Sequence, residues 1–311
     1  MKLGIEIGGT KLQLGVGDGQ SSDLIELARE SIHPAAGAAG ILDQIERLGT
    51  RLIRQHGIDR VGIGFGGPVD ATLGRAVKSH QVDGWDDFPL VEWCQHRLGL
   101  PAVIGNDCDV AALAEADFGA GQGKQSVFYV TVGTGVGGGF VCDGRLYGRG
   151  RPAVAEIGHM RPGLTADQPN MTVESLASGW GIAETARARL EDATGDDAVD
   201  LERRCEGDAQ RLTAELVAQA AADGNVLAED VLQFACRVLG WAIAQVITLL
   251  APEVVVVGGG VSLIGKELFF VPLRREVARY VFPPLIDAYS IKPAALGETV
   301  VVQGALRLAR A

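Results

Sequence analysis

Two polar clusters in this sequence carry the residue types that move a phosphoryl group or grip a polyol. At Asn106-Asp107 the apolar run PAVIG gives way to NDCDVAALAEADFG, a segment of helix formers. A carboxylate at such a junction can take the proton of a substrate hydroxyl as its oxygen attacks phosphorus. Asn and Asp are equally the residues that cap a helix, so both readings stand. Glu156 and His159 lie three apart in Ala155-Glu156-Ile157-Gly158-His159, a stretch without other charge, and Glu174 follows in TVESLASG. A Glu and His at that spacing can hold sugar hydroxyls or serve structure alone.

Glycine supplies the third kind of signal. Gly8-Gly9-Thr10-Lys11 joins two apolar runs in KLGIEIGGTKLQLGVGDG, and it does not match the GxxxxGK[ST] loop. Taken singly, a GGT turn suits a hairpin as well as a ligand. The later GTGVGGG, Gly133 to Gly139, holds five glycines in seven residues, more than a hairpin turn needs. With VVVVGGG, ending at Gly260, that makes three turns able to offer bare backbone N–H groups to phosphates. Thr10 and Thr134 would add hydroxyl donors. Lys11 would supply positive charge or point into solvent.

The elements that must position these residues follow from apolar periodicity. KLGIEI and LQLGVG read as hairpin strands, and SVFYVTV with GGGFVCDGRLY repeats the pattern about 125 residues on, Ile7-Gly8 lining up with Val132-Gly133. Two related half-domains are implied. Between them, Ile41, Ile45, Leu48, Leu52 and Ile53 have helical spacing, followed by the strand RVGIGFGG, the helix VEWCQHRLGL and the strand PAVIG. Such alternation predicts an α/β fold. From SLASGWGIAETARARL to ITLLAP the chain is mainly helical, and PEVVVVGGGVSLIG then reads as a buried strand, a turn and a helix start. The acidic EDATGDDAVDLERRCEGDA has no apolar period and is expected to be a solvated surface segment. TVVVQGALRLARA predicts a final helix returning to the first lobe.

Composition excludes some classes. The 311 residues carry a net charge of −11, which opposes nucleic-acid binding, because phosphate neutralisation needs clustered Lys and Arg. MKLGIE shows no charged region leading into an apolar one, and VLGWAIAQVITLLAP reads as too short and interrupted to span a bilayer. A cytoplasmic protein with no membrane partner is expected. The five cysteines are scattered singly, which predicts reduced, mostly buried thiols and no zinc pair.

In order, IEIGGTK, GFGGPVD, NDCDVAALAE, GTGVGGG, AEIGHM and PEVVVVGGGVS resemble the motifs of the ROK family of sugar kinases and sugar-responsive repressors, nearly end to end. The resemblance implies a two-lobed actin-like ATPase (ribonuclease H-like) α/β fold with duplicated βββαβα domains and a cleft between them. Its lobes would be residues 1–105 plus 299–311, and 106–298. It further implies Asp107 as general base, with Asn106, Glu156, His159, Glu174 and the Gly67 backbone holding the sugar. Gly8, Gly9, Thr10, Lys11, Gly133, Thr134 and Gly135 would surround the phosphates of ATP, Gly258 and Gly259 would meet adenosine, and Mg²⁺ would bridge the phosphates. A homodimer or higher homo-oligomer is also implied.

Three departures from the family pattern stand out. Glu6 replaces the usual Asp, so Mg²⁺ support there would be water-mediated. Ser79-His80-Gln81-Val82 replaces Ser-Pro-Asn-Leu, which bears on sugar preference. The zinc motif CxCGxxGC is missing, only fourteen residues separate His159 from Glu174, and no structural zinc is expected. The expected activity is an ATP-dependent hexokinase acting on the 6-hydroxyl of an aldohexose, glucose first. The alternatives are a kinase for N-acetylmannosamine, N-acetylglucosamine, fructose or allose, a polyphosphate donor, or a non-catalytic sugar sensor. The sensor is opposed by the acidic charge and by a first strand that starts at residue 3, leaving no room for a helix-turn-helix.

Overall fold

A computed structural model describes residues 1–79, 81–148, 150–151, 153–163, 168 and 170–310. His80 of the sugar-preference stretch, and residues 164–167 and 169 of the loop before Glu174, lie outside the described residues. The chain forms two units: Met1–Tyr129 with Gly139–Ala155 and Ala294–Ala311, and Val130–Gly138 with Glu156–Pro293. Residues 106–129 thus group with the first unit, where the sequence reading drew its boundary at 105.

In the first unit, β1 (Lys2–Ile7), β2 (Lys11–Gly17) and β3 (Glu26–Ser31) form an antiparallel meander. Then come α1 (Gly37–His56), β4 (Arg60–Phe65), the short β5 (Val69–Asp70) and β6 (Arg75–Ala76), α2 (Leu90–Leu98), β7 (Ala102–Asn106) and α3 (Asp107–Phe118). The main sheet is ordered β3-β2-β1-β4-β7, with β1, β4 and β7 parallel. Ile7 lies opposite Phe65, and Phe65 opposite Asn106, so the three parallel strands end level. That register decides where the site residues fall.

The strands alternate strictly, because successive side chains point to opposite faces. Leu3, Ile5, Ile7, Leu12, Leu14, Val61, Ile63 and Phe65 are buried in one core with Ile41, Ile45, Leu48 and Leu52 of α1. The helical spacing read from the sequence is therefore the face that α1 buries, with Ile53 partly buried at its edge. Gly4, Gly15, Gly62 and Gly64 alternate with these residues.

Beyond α3 come β8 (Ser126–Val132), β9 (Val136–Cys142) and β10 (Arg145–Leu146), and the turn end of β8 and β9, Val130–Gly138, belongs to the second unit. That unit continues through α4 (Val173–Ala177), α5 (Gly179–Asp192), α6 (Asp196–Arg204), α7 (Ala214–Ala222), α8 (Val226–Leu250), β11 (Val254–Gly258), α9 (Val271–Tyr280) and β12 (Ser290–Pro293). The second sheet is ordered β10-β9-β8-β11-β12, with β11 and β12 parallel.

Two expectations are corrected here. The acidic segment, expected to be wholly solvated surface, is mostly exposed but helical in part and one-sided: α6 buries Ala198 and Leu201, and Arg203, Arg204 and Asn225 all bond to Asp200. Two apolar positions three apart were too few to register as a period. The apolar run beginning at Val238 is the second half of a longer helix, α8, whose start is capped by Asn225 accepting from the Ala228 N–H at 2.9 Å. At 25 residues α8 is long and apolar enough to cross a membrane, yet most of it is buried inside this unit.

The last helix, α10 (Val300–Leu308), returns to the first sheet. The glycine face is what admits it. A Cβ on Gly62 would meet the Ala305 carbonyl at 1.9 Å, and one on Gly4 the Val302 carbonyl at 2.5 Å. Gly304 of α10 in turn rests on α3, its missing Cβ 1.8 Å from the Val110 carbonyl. Glu115 of α3, fully buried, accepts from the N–H groups of Ala120, Ala295 and Leu296 at 2.8–2.9 Å and so ties in the segment leading to α10.

Candidate active site

The level ends of β1, β4 and β7 bring three loop starts together in the first unit. The Gly66 N–H donates to the Ile7 carbonyl at 2.8 Å, and a Cβ at Gly66 would lie 3.5 Å from both the Gly8 Cα and the Asp107 Oδ2. The first glycine turn, the GFGG loop and the start of α3 thus share one corner. The carboxyl ends of parallel strands are where α/β folds bind ligands, since loops there can diverge without touching the sheet.

Asn106 has the capping role weighed from sequence. Its Oδ1 accepts from the N–H groups of Cys108 and Asp109, and its Nδ2 donates to the Gly67 carbonyl at 3.0 Å. The amide therefore fixes both α3 and the Gly67 loop. Asp107 is the first residue of α3, where the helix dipole favours negative charge, and its Oδ1 accepts from Cys108 N–H at 2.8 Å. Gly67 packs tightly: a Cβ there would meet the Lys78 carbonyl at 2.6 Å.

The turn Gly8–Lys11 is closed by the Gly8 N–H donating to the Lys11 carbonyl at 3.1 Å. Lys11 is half exposed, yet its charge has a partner: its Nζ pairs with Glu6 Oε1 at 3.3 Å. The other Glu6 oxygen accepts from Gln13 Nε2 at 2.6 Å. Burial raises the Glu6 pKa, with the Lys11 charge and the Gln13 hydrogen bond opposing. Gln81, singled out for sugar preference, lies over Gly9: a Cβ on Gly9 would stand 1.2 Å from its Oε1. Trp85, three residues beyond Val82, is a core residue packed edge-on against Phe65.

In the second unit, the turn after β8 is closed by the Gly133 N–H donating to the Gly135 carbonyl at 2.9 Å. It is then tethered three times. The Gly179 N–H donates to the Gly133 carbonyl at 2.8 Å, Glu174 Oε2 accepts from the Val136 N–H at 2.9 Å, and Gly158 packs on the Val136 carbonyl, 1.9 Å from where its Cβ would be. Glu174 thus bonds to the strand that leaves the glycine turn, and Gly158 sets the Glu156–His159 segment against the same strand. Ala155, immediately before Glu156, adopts a left-handed φ of 58°, a strained conformation for a residue with a side chain. The Glu156 pKa is raised by partial desolvation, lowered by the neighbouring His159 charge and raised again by Glu174.

A cavity of about 1040 Å³ opens beside this turn. Gly133 and Thr134 form one part of its wall, Gly179, Trp180 and Ala183 of α5 another, Ala214 and Ala218 of α7 a third, and Gly260, Val261 and Leu263 a fourth. Gly258 ends β11, and Gly259 packs on β8, its missing Cβ 2.5 Å from the Val132 carbonyl. Of the VVVVGGG glycines, it is Gly260 that faces the cavity. Sequence reasoning missed the α5 and α7 walls. Their signal was a stripe of small residues at spacing four, Gly179 and Ala183, then Ala214, Ala218 and Ala222. Arg187 also lines the cavity, but its guanidinium is committed to the carbonyls of Ala209, Gln210 and Leu212 and stiffens the wall.

Among the described residues, no group of three or more His, Cys, Asp or Glu side chains stands ready to hold a metal ion. Mg²⁺ in phosphoryl-transfer sites needs only one or two carboxylates, the phosphates and waters. Glu6, one residue from the first glycine turn but already bonded to Lys11 and Gln13, fits a water-mediated role of that kind.

Comparison with known proteins matches this architecture. The model of the ROK family covers residues 2–311. A glucokinase of Halalkalibacterium halodurans is 31% identical, over 97% of this chain and 92% of its own. A glucokinase of Streptomyces coelicolor is 30% identical, over 100% of this chain and 98% of its own. The crystal structure of a ROK family glucokinase from Streptomyces griseus, in complex with glucose and AMPPNP, superposes with a TM-score of 0.82 at 31% identity, covering 99% of each chain. The fold is the actin-like ATPase fold that the motifs implied.

Proposed function

The chain belongs to the ROK family, and from that premise we propose that it is a sugar kinase that transfers the γ-phosphoryl of ATP to a hexose hydroxyl, glucose being the first candidate. The observation that carries the reading is the corner formed by Gly8, Gly66 and Asp107 at the level ends of three parallel strands. It sets a carboxylate beside a backbone turn suited to phosphate, the arrangement that positioning-based phosphoryl transfer requires.

In this reading Asp107 accepts the proton of the attacking hydroxyl. Asn106 contributes by holding the Gly67 loop and the start of α3, and Glu156, His159 and Glu174 grip the sugar hydroxyls. Gly8 to Lys11 and Gly133 to Gly135 receive the phosphates, and the cavity beside Gly133, walled by the small residues of α5 and α7, takes the nucleoside. That cavity favours a nucleotide over polyphosphate as donor. Mg²⁺ brought in with ATP would neutralise phosphate charge, with Glu6 supporting it through water.

The test is ADP release with MgATP on glucose, mannose, fructose, allose and the two N-acetylhexosamines. Asp107→Asn should lower kcat by about 10²- to 10⁴-fold, the range of general-base catalysis, while sugar binding by calorimetry persists. Near-normal kcat in that variant would sink the mechanism. No turnover on any sugar, despite sugar binding, would favour a sensor.

A further inference from the structure

The two phosphate turns are built differently. The first is a closed two-residue turn whose Thr10 carbonyl accepts from the Ile32 N–H at 2.9 Å, whereas in the second a carboxylate side chain, that of Glu174, holds a backbone N–H of the turn's exit strand. Glu174 sits in the first turn of α4, and that turn is locked by a capping box. Thr172 Oγ1 accepts from the Ser175 N–H at 3.1 Å, and Ser175 Oγ accepts from the Thr172 N–H at 2.9 Å. The Val173 N–H is held in turn by the Met160 carbonyl at 2.8 Å. From this fixed base the Glu174 carboxylate reaches the glycine turn. Its Oε2 bonds to the Val136 N–H and lies 2.5 Å from where a Gly135 Cβ would be, so the carboxylate fills the space that the missing side chain leaves.

We propose that Glu174 is a positioning residue for the phosphoryl donor as well as a ligand of the sugar: its carboxylate is the strut that fixes Gly135 and Val136 of the second phosphate turn. The proposal rests on the kinase reading above. Two opposite consequences follow from one side chain. As an acceptor it orders the turn, which must present its N–H groups in a set geometry. As a negative charge against that turn it repels phosphate. Removing the acceptor should therefore weaken donor binding, while removing only the charge should not. For the sugar both changes act the same way, since a carboxylate accepts hydroxyl hydrogen bonds more strongly than an amide.

The experiment measures MgAMPPNP and glucose binding by calorimetry for the wild type, Glu174→Ala and Glu174→Gln, with hydrogen exchange followed in the peptide spanning 133–138. Glu174→Ala should weaken MgAMPPNP about tenfold, the loss of one charge-assisted hydrogen bond, and speed exchange at Val136. Glu174→Gln, whose amide oxygen can still accept, should bind MgAMPPNP as tightly as the wild type or more tightly and keep Val136 protected. Both should weaken glucose. Wild-type affinity for MgAMPPNP in Glu174→Ala, or equal weakening in both variants, would overturn the strut. A wild-type protein that binds no nucleotide would instead overturn the kinase reading, and this proposal with it. If Glu174→Ala does not fold, Val136 exchange and MgAMPPNP affinity in Glu174→Gln decide alone: fast exchange with weakened binding would refute the proposal.

Discussion

Gly158→Ala is the sharpest perturbation this structure offers. A Cβ at that position would sit 1.9 Å from the Val136 carbonyl oxygen, roughly an ångström inside the nearest approach real Cβ atoms make. The obstacle is backbone, so no rotamer change relieves it. Nor can Val136 retreat freely, because its N–H is held on the other side by Glu174 at 2.9 Å. Overpacking of this kind costs about 1–3 kcal/mol, and breaking the charge-assisted bond to let the strand shift adds about 1.5–3 kcal/mol. If both are incurred the total is about 2.5–6 kcal/mol, and at roughly 2 °C per kcal/mol for a chain of this size the melting temperature should fall by about 5–12 °C. Scanning calorimetry reads that number. In the surviving folded protein the KM values for donor and sugar should rise together if the proposed roles hold, since Gly158 lies between Glu156 and His159 and packs on Val136 at the exit of the Gly133–Gly135 turn. A melting temperature within about 1 °C of wild type, with both KM values unchanged, would refute the packing argument.

Two further outcomes follow. Because desolvation and Glu174 raise the Glu156 pKa, sugar affinity that needs its carboxylate should be lost on acidification above the ordinary glutamate range. Glu174→Gln should move that acid limb to lower pH, and His159→Ala, which removes the opposing charge, to higher pH. A limb that moved the other way would contradict the assignment, and carboxyl NMR of Glu156 reads it directly. The linkage has the matching sign: a raised carboxyl pKa favours the folded state below its unfolded value, and that contribution is lost as pH rises through the folded one. Glu115→Ala leaves the N–H groups of Ala120, Ala295 and Leu296 without their acceptor in the core and should destabilise by about 3 kcal/mol or more, with α10 the first element to loosen in hydrogen exchange. Uniform exchange across the chain would count against that local role.

Much of the site was legible because its signals are local. Gly8-Gly9-Thr10-Lys11 and Gly133 to Gly135 announce backbone turns, Asn106 is a cap whose partners lie two and three residues on, and the alternation in β1, β2 and β4 follows from the pleat. The family resemblance then ordered these pieces. What stayed hidden depends on partners far along the chain. Gly4 and Gly62 lie in runs that read as strands, but nothing near them told that α10, some 240–300 residues later, needs bare backbone to lie on. Lys11 gave no hint that it would pair with Glu6, and the extent of α8 was hidden because its apolar run is only part of the helix.

The sequence by itself determined the strands, the turns, the cap at Asn106 and the family, because each depends on residues within a few positions or on motifs in a set order. Only the tertiary structure decided that Asp107 stands beside Gly66 and Gly8, that Val136 is gripped by Glu174 and Gly158, and that Gly260 is the glycine facing the cavity with α5 and α7 as its walls. Strand register and helix packing are set by long-range contacts, and a one-residue change in either would leave every motif readable while separating the groups that must act together.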